Sequence, residues 1–489
     1  MRFLAQLHRW LGIALCLSFA AWFISGAIMI YVPFPTLSNQ QRWAGSAQID
    51  VSRLAVGPAV AVAAAGPQPI DRLRLLDIAG RPVYVLHRRD GSIVAVGADN
   101  GLPISAVNSG EARTIAESFA SRRALRVEGP IDNDQWIVPN VYDAYRPFYR
   151  VRLVGADQSV LYVSTRSGEV LQRTLGHERV WNYFGSIVHW LYPTLLRKHA
   201  DLWRYLLWGL SLAGIFVVIA GIWLGVSRMR AAYLRGRSIS PYRSWHRWHH
   251  ILGLAAGLFL LTWIFSGWLS VDPGWLFSDP VPAQTVRERY RNLPIDQAAR
   301  AFELSVLKSQ AASREMEITA INGAPMLVVH DKAGVRVLTP DGTVLADGGA
   351  VPRPLILAAV QVAWPGRAIT KVEQLRPEDT YGNVREDDAA VSESALRVEL
   401  DDPSRTWVHV DLTTGEMVSI MDRGRRVRRW LFNALHSLDF PGLANHRPWW
   451  DGVIVALLMI GFLFSMTAAV IGVKRLKVMT KPKKSPSWP

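Results

Sequence analysis

Four stretches of this chain, residues 10–32, 205–226, 251–271 and 452–473, contain no Asp, Glu, Lys or Arg, and each is 21 to 23 residues long. A helix rises about 1.5 Å per residue and needs about 20 apolar residues to cross a hydrocarbon core, where its backbone polar groups must be satisfied internally. The windows therefore predict four membrane-spanning helices. Half of the 489 residues are hydrophobic and the mean hydropathy is positive, as such spans require. Arg2 and Arg9 would also suit the basic start of a secretory signal peptide. No small-x-small cleavage site follows, however, and the first window has an internal counterpart.

Charge predicts the orientation. Arg228, Arg230, Arg235, Arg237, Arg243 and Arg247 lie between the second and third windows with no acidic residue among them. Lys474, Arg475, Lys477, Lys481, Lys483 and Lys484 follow the fourth, again unopposed. Positive segments stay cytoplasmic, so both termini and the 227–248 loop are expected inside, with 33–200 and 272–450 outside. These twelve residues account for most of the net charge of +15, which therefore does not argue for nucleic acid. The loop could also dock an acidic lipid or partner. The single cysteine, Cys16, rules out a disulfide framework within the chain, a Cys-based zinc site and covalent C-x-x-C-H haem attachment.

The sequence also matches itself. At a shift of 241, His8-Arg-Trp-Leu-Gly12 falls on His249-His-Ile-Leu-Gly253, Trp22 on Trp263, and Ser25-Gly26 on Ser266-Gly267. At 243, Gly80-Arg-Pro-Val-Tyr-Val-Leu-His87 falls on Gly323-Ala-Pro-Met-Leu-Val-Val-His330. At 247, residues 150–226 align without a gap on 397–473, pairing His189 with His436, His199 with His446 and Trp203 with Trp450. Drifting offsets are what loop insertions in a duplicated unit produce, and the two units enter and leave on the same side, as parallel repeats do. The expected fold is a membrane α-helical bundle of four helices in two tandem parallel repeats, with two α+β outer domains. Its divisions are 1–32, the amino terminus and first span; 33–202, the first outer domain; 203–226, the second span; 227–248, the basic loop; 249–271, the third span; 272–450, the second outer domain; 451–473, the fourth span; and 474–489, the basic tail.

Short Val-rich runs at 83–87, 149–153, 160–164, 326–330, 395–400 and 407–411 predict strands. Asp90-Gly91 and Asp341-Gly342 are placed as hairpin turns. A helix is predicted at 109–122, capped by Asn108 or Ser109 with Glu111 in its first turn. The Ala/Pro/Gly run 56–69 predicts a flexible linker.

The twelve histidines carry the chemistry. His8 and His249 are counterparts at the cytoplasmic mouths of spans one and three. His189 and His436 are counterparts before spans two and four, on the outer side. His199 and His446 form a third pair, and His246 and His250 are extras beside His249. One such imidazole can simply sit at the membrane interface. Paired by a pseudo-symmetric bundle, two can ligate a haem iron, and bundle cores are where such cofactors are built. Gly12 and Gly253 lie one turn beyond His8 and His249, leaving room for a macrocycle or for close helix packing. His8 and Ser25 are 17 residues apart, about 26 Å along a helix, so a haem near each face would divide the insulating distance. His87 and His330 suit strand or surface roles better than metal binding. The tryptophans, among them Trp181, Trp190, Trp203, Trp208, Trp449 and Trp450, suit an interfacial belt. No Walker A loop, H-E-x-x-H or strand-linked G-x-G-x-x-G is present.

Several of these segments together resemble the PepSY-associated transmembrane helix family: His8-Arg-Trp-Leu-Gly12 and Ser25-Gly26; Tyr149-Arg-Val-Arg-Leu153 with Ser167-Gly-Glu169; Val188-His-Trp-Leu-Tyr-Pro193; Arg429-Trp-Leu-Phe-Asn-Ala-Leu-His-Ser-Leu-Asp-Phe-Pro441; and Arg447-Pro-Trp-Trp-Asp451. The resemblance implies a bacterial inner-membrane protein with periplasmic PepSY-like domains, often tied to iron uptake. Some relatives are ferric-siderophore reductases with two non-covalent b-type haems. Carried over by position, His8, His249, His189 and His436 are the expected axial ligands, with His199, His446, His246 and His250 as alternatives. The leading expectation is a di-haem electron-transfer protein, fed by a cytoplasmic or quinol donor and reducing a periplasmic ferric chelate or siderophore. The alternative is a non-enzymatic receptor or regulator whose PepSY-like domains bind a peptidase, peptide or partner protein. Alternating-access transport has less support, because the spans lack the acidic and basic residues that ion coupling uses.

Overall fold

A computed structural model describes residues 2–236, 239–277, 282–345, 350–376, 379–381 and 395–480; Arg237, Lys481, Lys483 and Lys484 of the topology argument lie outside them. Four helices are long and apolar enough to cross a membrane: Arg2–Tyr31, Ala200–Tyr233, Ser244–Ser270 and Arg447–Met479. Each extends past its uncharged window, because Arg and Lys at the ends continue the helix into polar surroundings.

The chain divides into two compact units. One comprises Met1–Phe34, Val180–Phe277 and Val427–Pro489. Here the first long helix packs on the fourth and the second on the third, while the third also meets the fourth. Leu15, Phe19, Phe23, Val217, Leu260, Trp263 and Leu458 form its core. Close approach depends on small residues: a Cβ at Gly461 would stand 2.6 Å from the Phe23 ring. Short turns precede the second and fourth long helices. Ser186–His189 ends on His189, and a π-helical segment, Arg429–Ala434, leads to Leu435–Ser437 and His436. Their packing places residues 180–202 and 427–450 mainly with the bundle, whereas the sequence divisions assign them to the outer domains.

The other unit is Pro35–Arg179 with Ser278–Arg426. Its strands are β1 (Ile70–Ile78), β2 (Arg81–Arg88), β3 (Ile93–Gly97), β4 (Ala124–Ile131), β5 (Phe148–Leu153), β6 (Val160–Ser164), β7 (Val170–Thr174), β8 (Glu315–Ile321), β9 (Ala324–His330), β10 (Val335–Leu338), β11 (Ile369–Gln374), β12 (Ala395–Leu400), β13 (Trp407–Asp411) and β14 (Met417–Met421). Two antiparallel meanders, β4-β5-β6-β7 and β11-β12-β13-β14, stand apart from a six-stranded sheet ordered β10-β9-β8-β1-β2-β3. In that sheet β1 pairs antiparallel with β8, so the two halves of this unit form one body rather than two separate domains.

The predicted strands and both Asp-Gly turns fall where expected. So does the 109–122 helix, found at Ser109–Ala120, where Asn108 and Glu111 form a reciprocal capping box. The 56–69 run differs. Pro58–Ala64 is helical, with proline in its first turn, and Ala61 and Ala65 are buried against Leu54, Leu73 and Tyr84. Proline suits a helix start, and alanine gives a small face that packs closely on the sheet.

Candidate functional site

The bundle brings four of the histidines into two pairs. His8 and His249 have ring centroids 6.5 Å apart with planes at 46°; His189 and His436 are 6.2 Å apart at 67°. Two imidazoles sharing one metal ion, with bonds of about 2 Å and about 1.1 Å from each nitrogen to its ring centre, put centroids about 6.3 Å apart. Both pairs have that separation.

In every ring the Nδ1 atom has a partner. The Val217 carbonyl accepts from His8 Nδ1–H at 3.0 Å. His249 Nδ1 lies 3.0 Å from Thr467 Oγ1, His189 Nδ1 3.0 Å from Ser25 Oγ, and His436 Nδ1 3.1 Å from Ser266 Oγ. None of the four Nε2 atoms has a hydrogen-bond partner among the described residues. An orienting bond on one nitrogen, with the other left over, is the arrangement of a metal-ligating histidine.

The surroundings hold these rings in place. Trp203 Nε1–H donates to the Trp190 carbonyl at 2.8 Å, and Trp450 Nε1–H donates to that of Ser437 at 2.9 Å. These bonds tie the turns that carry His189 and His436 to the long helices after them. Trp450 is only 3% exposed, so it braces the bundle instead of serving the expected interfacial belt; Trp181 and Trp449 are exposed, as a belt residue would be. Phe464 stacks on His249 at 4.7 Å and 16°.

The glycines next to the rings are mostly not the ones the sequence singles out. A Cβ at Gly221 would stand 2.8 Å from His8 Cε1, one at Gly267 3.2 Å from His436 Cε1, and one at Gly26 3.4 Å from His189 Cε1. Beside Gly12 the space is open to 4 Å, as room for a macrocycle would require, whereas the space beside Gly253 is filled by Phe464 at 3.0 Å. Between the first and fourth helices an apolar groove of about 410 Å³ is lined by Phe23, Ala27, Leu458 and Phe462 among others. Leu458 also flanks Gly26 beside His189. Each imidazole pair leaves its Nε2 atoms without a partner among the described residues, and the apolar groove lies beside the His189–His436 pair, an arrangement in which a bis-histidine group would fit.

The remaining candidates are placed differently. His199 and His446 are exposed N-cap residues of the second and fourth helices, and His446 Nδ1 bonds the Gly442 carbonyl at 3.1 Å. His246 is exposed, and His250 is buried with Nε2 3.0 Å from the Gly225 carbonyl. Among the described residues, no cluster of three or more His, Cys, Asp or Glu could hold a metal ion.

The span from residue 5 to residue 303 matches the model of the PepSY-associated TM region, more than half of the chain. The chain belongs to the PepSY-associated TM family. Among curated proteins none matches it significantly. The match takes in the first three long helices and the His8, His249 and His189 positions of this PepSY-associated TM protein; His436 lies beyond its end.

The partners of the rings were the less legible part. Ser25-Gly26 and Ser266-Gly267 gave a signal by recurring at equivalent positions, though nothing in that repetition names a histidine partner. Thr467, Val217 and Gly221 gave none. In the sheet-bearing unit, Arg74 on β1 is a second unpredicted centre. It binds Glu169 through two bonds of 2.7 and 3.0 Å and lies 3.8 Å from Glu315. His87 and His330 sit on the same sheet. His87 Nε2 is 3.2 Å from Arg74 Nη2, and His330 stacks on Trp43 at 4.0 Å. Burial, reinforced by Arg74, lowers the His87 pKa to about 4.

Proposed function

We propose that this PepSY-associated TM protein is a bacterial inner-membrane electron-transfer protein that holds two non-covalent b-type haems and reduces a ferric chelate, of the siderophore kind, on the periplasmic side. A cytoplasmic or quinol donor would supply the electrons. The reading takes the chain as two parallel copies of one unit, with both termini and the 227–248 loop in the cytoplasm and the sheets in the periplasm. The arginines and lysines flanking the spans support that orientation.

The observation that carries the proposal is the recurrence of a histidine pair at metal-sharing distance near each end of the first helix. His8 and His249 would hold one group; His189 and His436 would hold the other. A haem at each place supplies one-electron redox chemistry. The chain's own residues bind and orient it: the Nδ1 partners fix the ring planes, and Trp203 and Trp450 fix the outer turns. Phe23, Leu458 and their neighbours keep water from the apolar space. The two sites are separated along the first helix by the run from His8 to Ser25, about 26 Å.

Purified protein should give a reduced-minus-oxidised difference spectrum of b-type haem. His8→Ala or His249→Ala should remove one component, and His189→Ala or His436→Ala the other. A colourless protein, or a spectrum indifferent to all four changes, refutes the proposal. A second reading, as a receptor for a peptidase, peptide or partner protein, draws on the size of the outer unit and its three sheets. Capture of a specific partner by full-length protein that carries no haem would favour it.

A further inference from the structure

We propose that Ser25, Ser266 and Thr467 are positioning residues that lock the imidazoles beside them as Nδ1–H tautomers, leaving the Nε2 lone pair for a ligand, while His8 reaches the same state without a hydroxyl. For the ligand, the claim rests on the haem reading above; for the tautomer, it does not.

Three hydroxyls repeat one geometry. Ser25 Oγ donates to the Trp22 carbonyl at 3.0 Å, Ser266 Oγ to that of Trp263 at 3.0 Å, and Thr467 Oγ1 to that of Phe464 at 2.6 Å. Each therefore spends its proton on the carbonyl three residues back in its own helix. A hydroxyl has one proton to give, so each oxygen can only accept from the ring nitrogen beside it. Reversing the bond would protonate Nε2, for which the described residues offer no acceptor. An unmatched N–H donor in an apolar bundle costs roughly 1–3 kcal/mol.

His8 shows how the fold manages without a hydroxyl. In the register that matches residues 150–226 to 397–473, Thr467 falls on Ala220 and Phe464 on Val217. With no hydroxyl at Ala220, His8 Nδ1–H reaches the Val217 carbonyl directly. A carbonyl can only accept, so this tautomer is fixed. The ring consequently lies against the helix backbone, where a Cβ at Gly221 would stand 2.8 Å from Cε1. The residue matching Gly221 in the other half is Ala468; there the interposed threonine sets the imidazole on a side chain instead.

Two measurements on the full-length protein in lipid nanodiscs test the proposal. The first reads imidazole nitrogen spectra of histidine-labelled protein grown without haem precursor. All four rings should be Nδ1–H. Ser25→Ala should disturb only His189, Ser266→Ala only His436 and Thr467→Val only His249, with Thr467→Ser restoring the native spectrum. Wild-type Nε2–H rings, or spectra indifferent to the hydroxyls, overturn the proposal. The second is redox titration of haem-loaded protein. Removing an acceptor from Nδ1 makes the ligand less basic and favours the reduced iron. A roughly tenfold loss of preference for the oxidised state is a rise of about 59 mV in one potential. Ser25→Ala and Thr467→Val should move different haems, and potentials unmoved by every variant overturn the positioning role. If wild-type protein binds no haem, the electron-transfer reading falls, while the nitrogen spectra still decide the tautomer claim.

Discussion

Replacing Arg74 by Met should destabilise the sheet-bearing unit by about 3–5 kcal/mol, the cost of removing one partner from a buried ion pair. The Arg74 side chain is 2% exposed and those of Glu169 and Glu315 are 5% and 1%. Its loss strips Glu169 of both guanidinium bonds and leaves Glu315 with Arg42, at 2.5 Å, and the Trp43 indole N–H, at 3.2 Å. For a unit of this size that is a fall of roughly 5–8 °C in Tm. Burial pushes the Glu315 pKa up, but Arg74 and Arg42 outweigh it and hold the pKa at about 2. A carboxyl held that low contributes about 3 kcal/mol above its unfolded pKa of about 4.3, and the contribution is lost as pH falls through 2. In Arg74→Met the acid limb of the stability profile should therefore move toward neutral pH. Removing the stranded charge as well, in Arg74→Met with Glu169→Gln, should recover part of the loss. The assay is thermal unfolding of the full-length protein in nanodiscs, followed by the rate at which a protease cuts the outer strands. A single variant melting within about 2 °C of wild type, or a double variant worse than the single, refutes the reasoning.

Three further outcomes are expected. On the haem reading, Gly221→Ala should displace His8 and weaken the absorbance of a haem held by His8 and His249, Gly267→Ala should have a smaller effect on one held by His189 and His436, and Gly26→Ala should be nearly silent, following the clearances of 2.8, 3.2 and 3.4 Å; reduced-minus-oxidised spectra of the three variants check the order. Burial, with Arg397 adding to it, lowers the His409 pKa to about 3, so the folded ring stays neutral while the unfolded one protonates near pH 6.5. Stability should fall as pH drops from about 6.5 toward 3, and His409→Gln should flatten that slope by up to about 1.4 kcal/mol per pH unit in melts run between pH 7 and 4. Asn108→Ala should cost about 1 kcal/mol by removing the cap that accepts from the Gly110 and Glu111 amides, read as a lower urea midpoint for the outer unit.

What the sequence made legible follows from how local each signal is. An uncharged run of twenty residues has few alternatives to a span, and Asn108 with Glu111 writes a helix start into four positions. The 56–69 run fails as a linker because Ala and Pro describe a helix start as readily as a hinge, and only the sheet beneath Ala61 decides. The pairing of histidines across the bundle was legible because the register supplied counterparts. Their hydroxyl partners were not. A serine in an apolar helix ordinarily satisfies itself on its own backbone, as Ser25 does at Trp22, and its remaining acceptor capacity leaves no trace in the sequence. Arg74 was hidden for a related reason. Alternation on β1 puts Leu73 and Leu75 on one face and Arg74 on the other, which reads as an exposed face until Glu169, between β6 and β7, covers it beside Glu315 of the neighbouring β8.

The joining strands explain why the sheet-bearing unit closes within one chain. In the register that sets Gly80 on Gly323, Arg72 and Arg74 fall on Glu315 and Glu317. β1 and β8 are therefore counterparts with opposite charge on one face. Their antiparallel pairing sets Arg74 opposite Glu317, and Arg72 reaches Glu317 through bonds of 2.9 and 2.6 Å. If β1 met β1 of a second molecule in the same register, arginines would face arginines; β8 against β8 would bring glutamates together. Like charges directly opposite on a sheet destabilise the pairing and opposite charges support it. Two similar halves could otherwise exchange partners between molecules, since an exposed strand edge accepts any matching strand. Charge opposition between these arginines and glutamates selects the pairing of one half with the other, and because Arg74 and Glu315 are buried beside Glu169 and Arg42 the choice is reinforced by the cost of leaving either of those two unmatched.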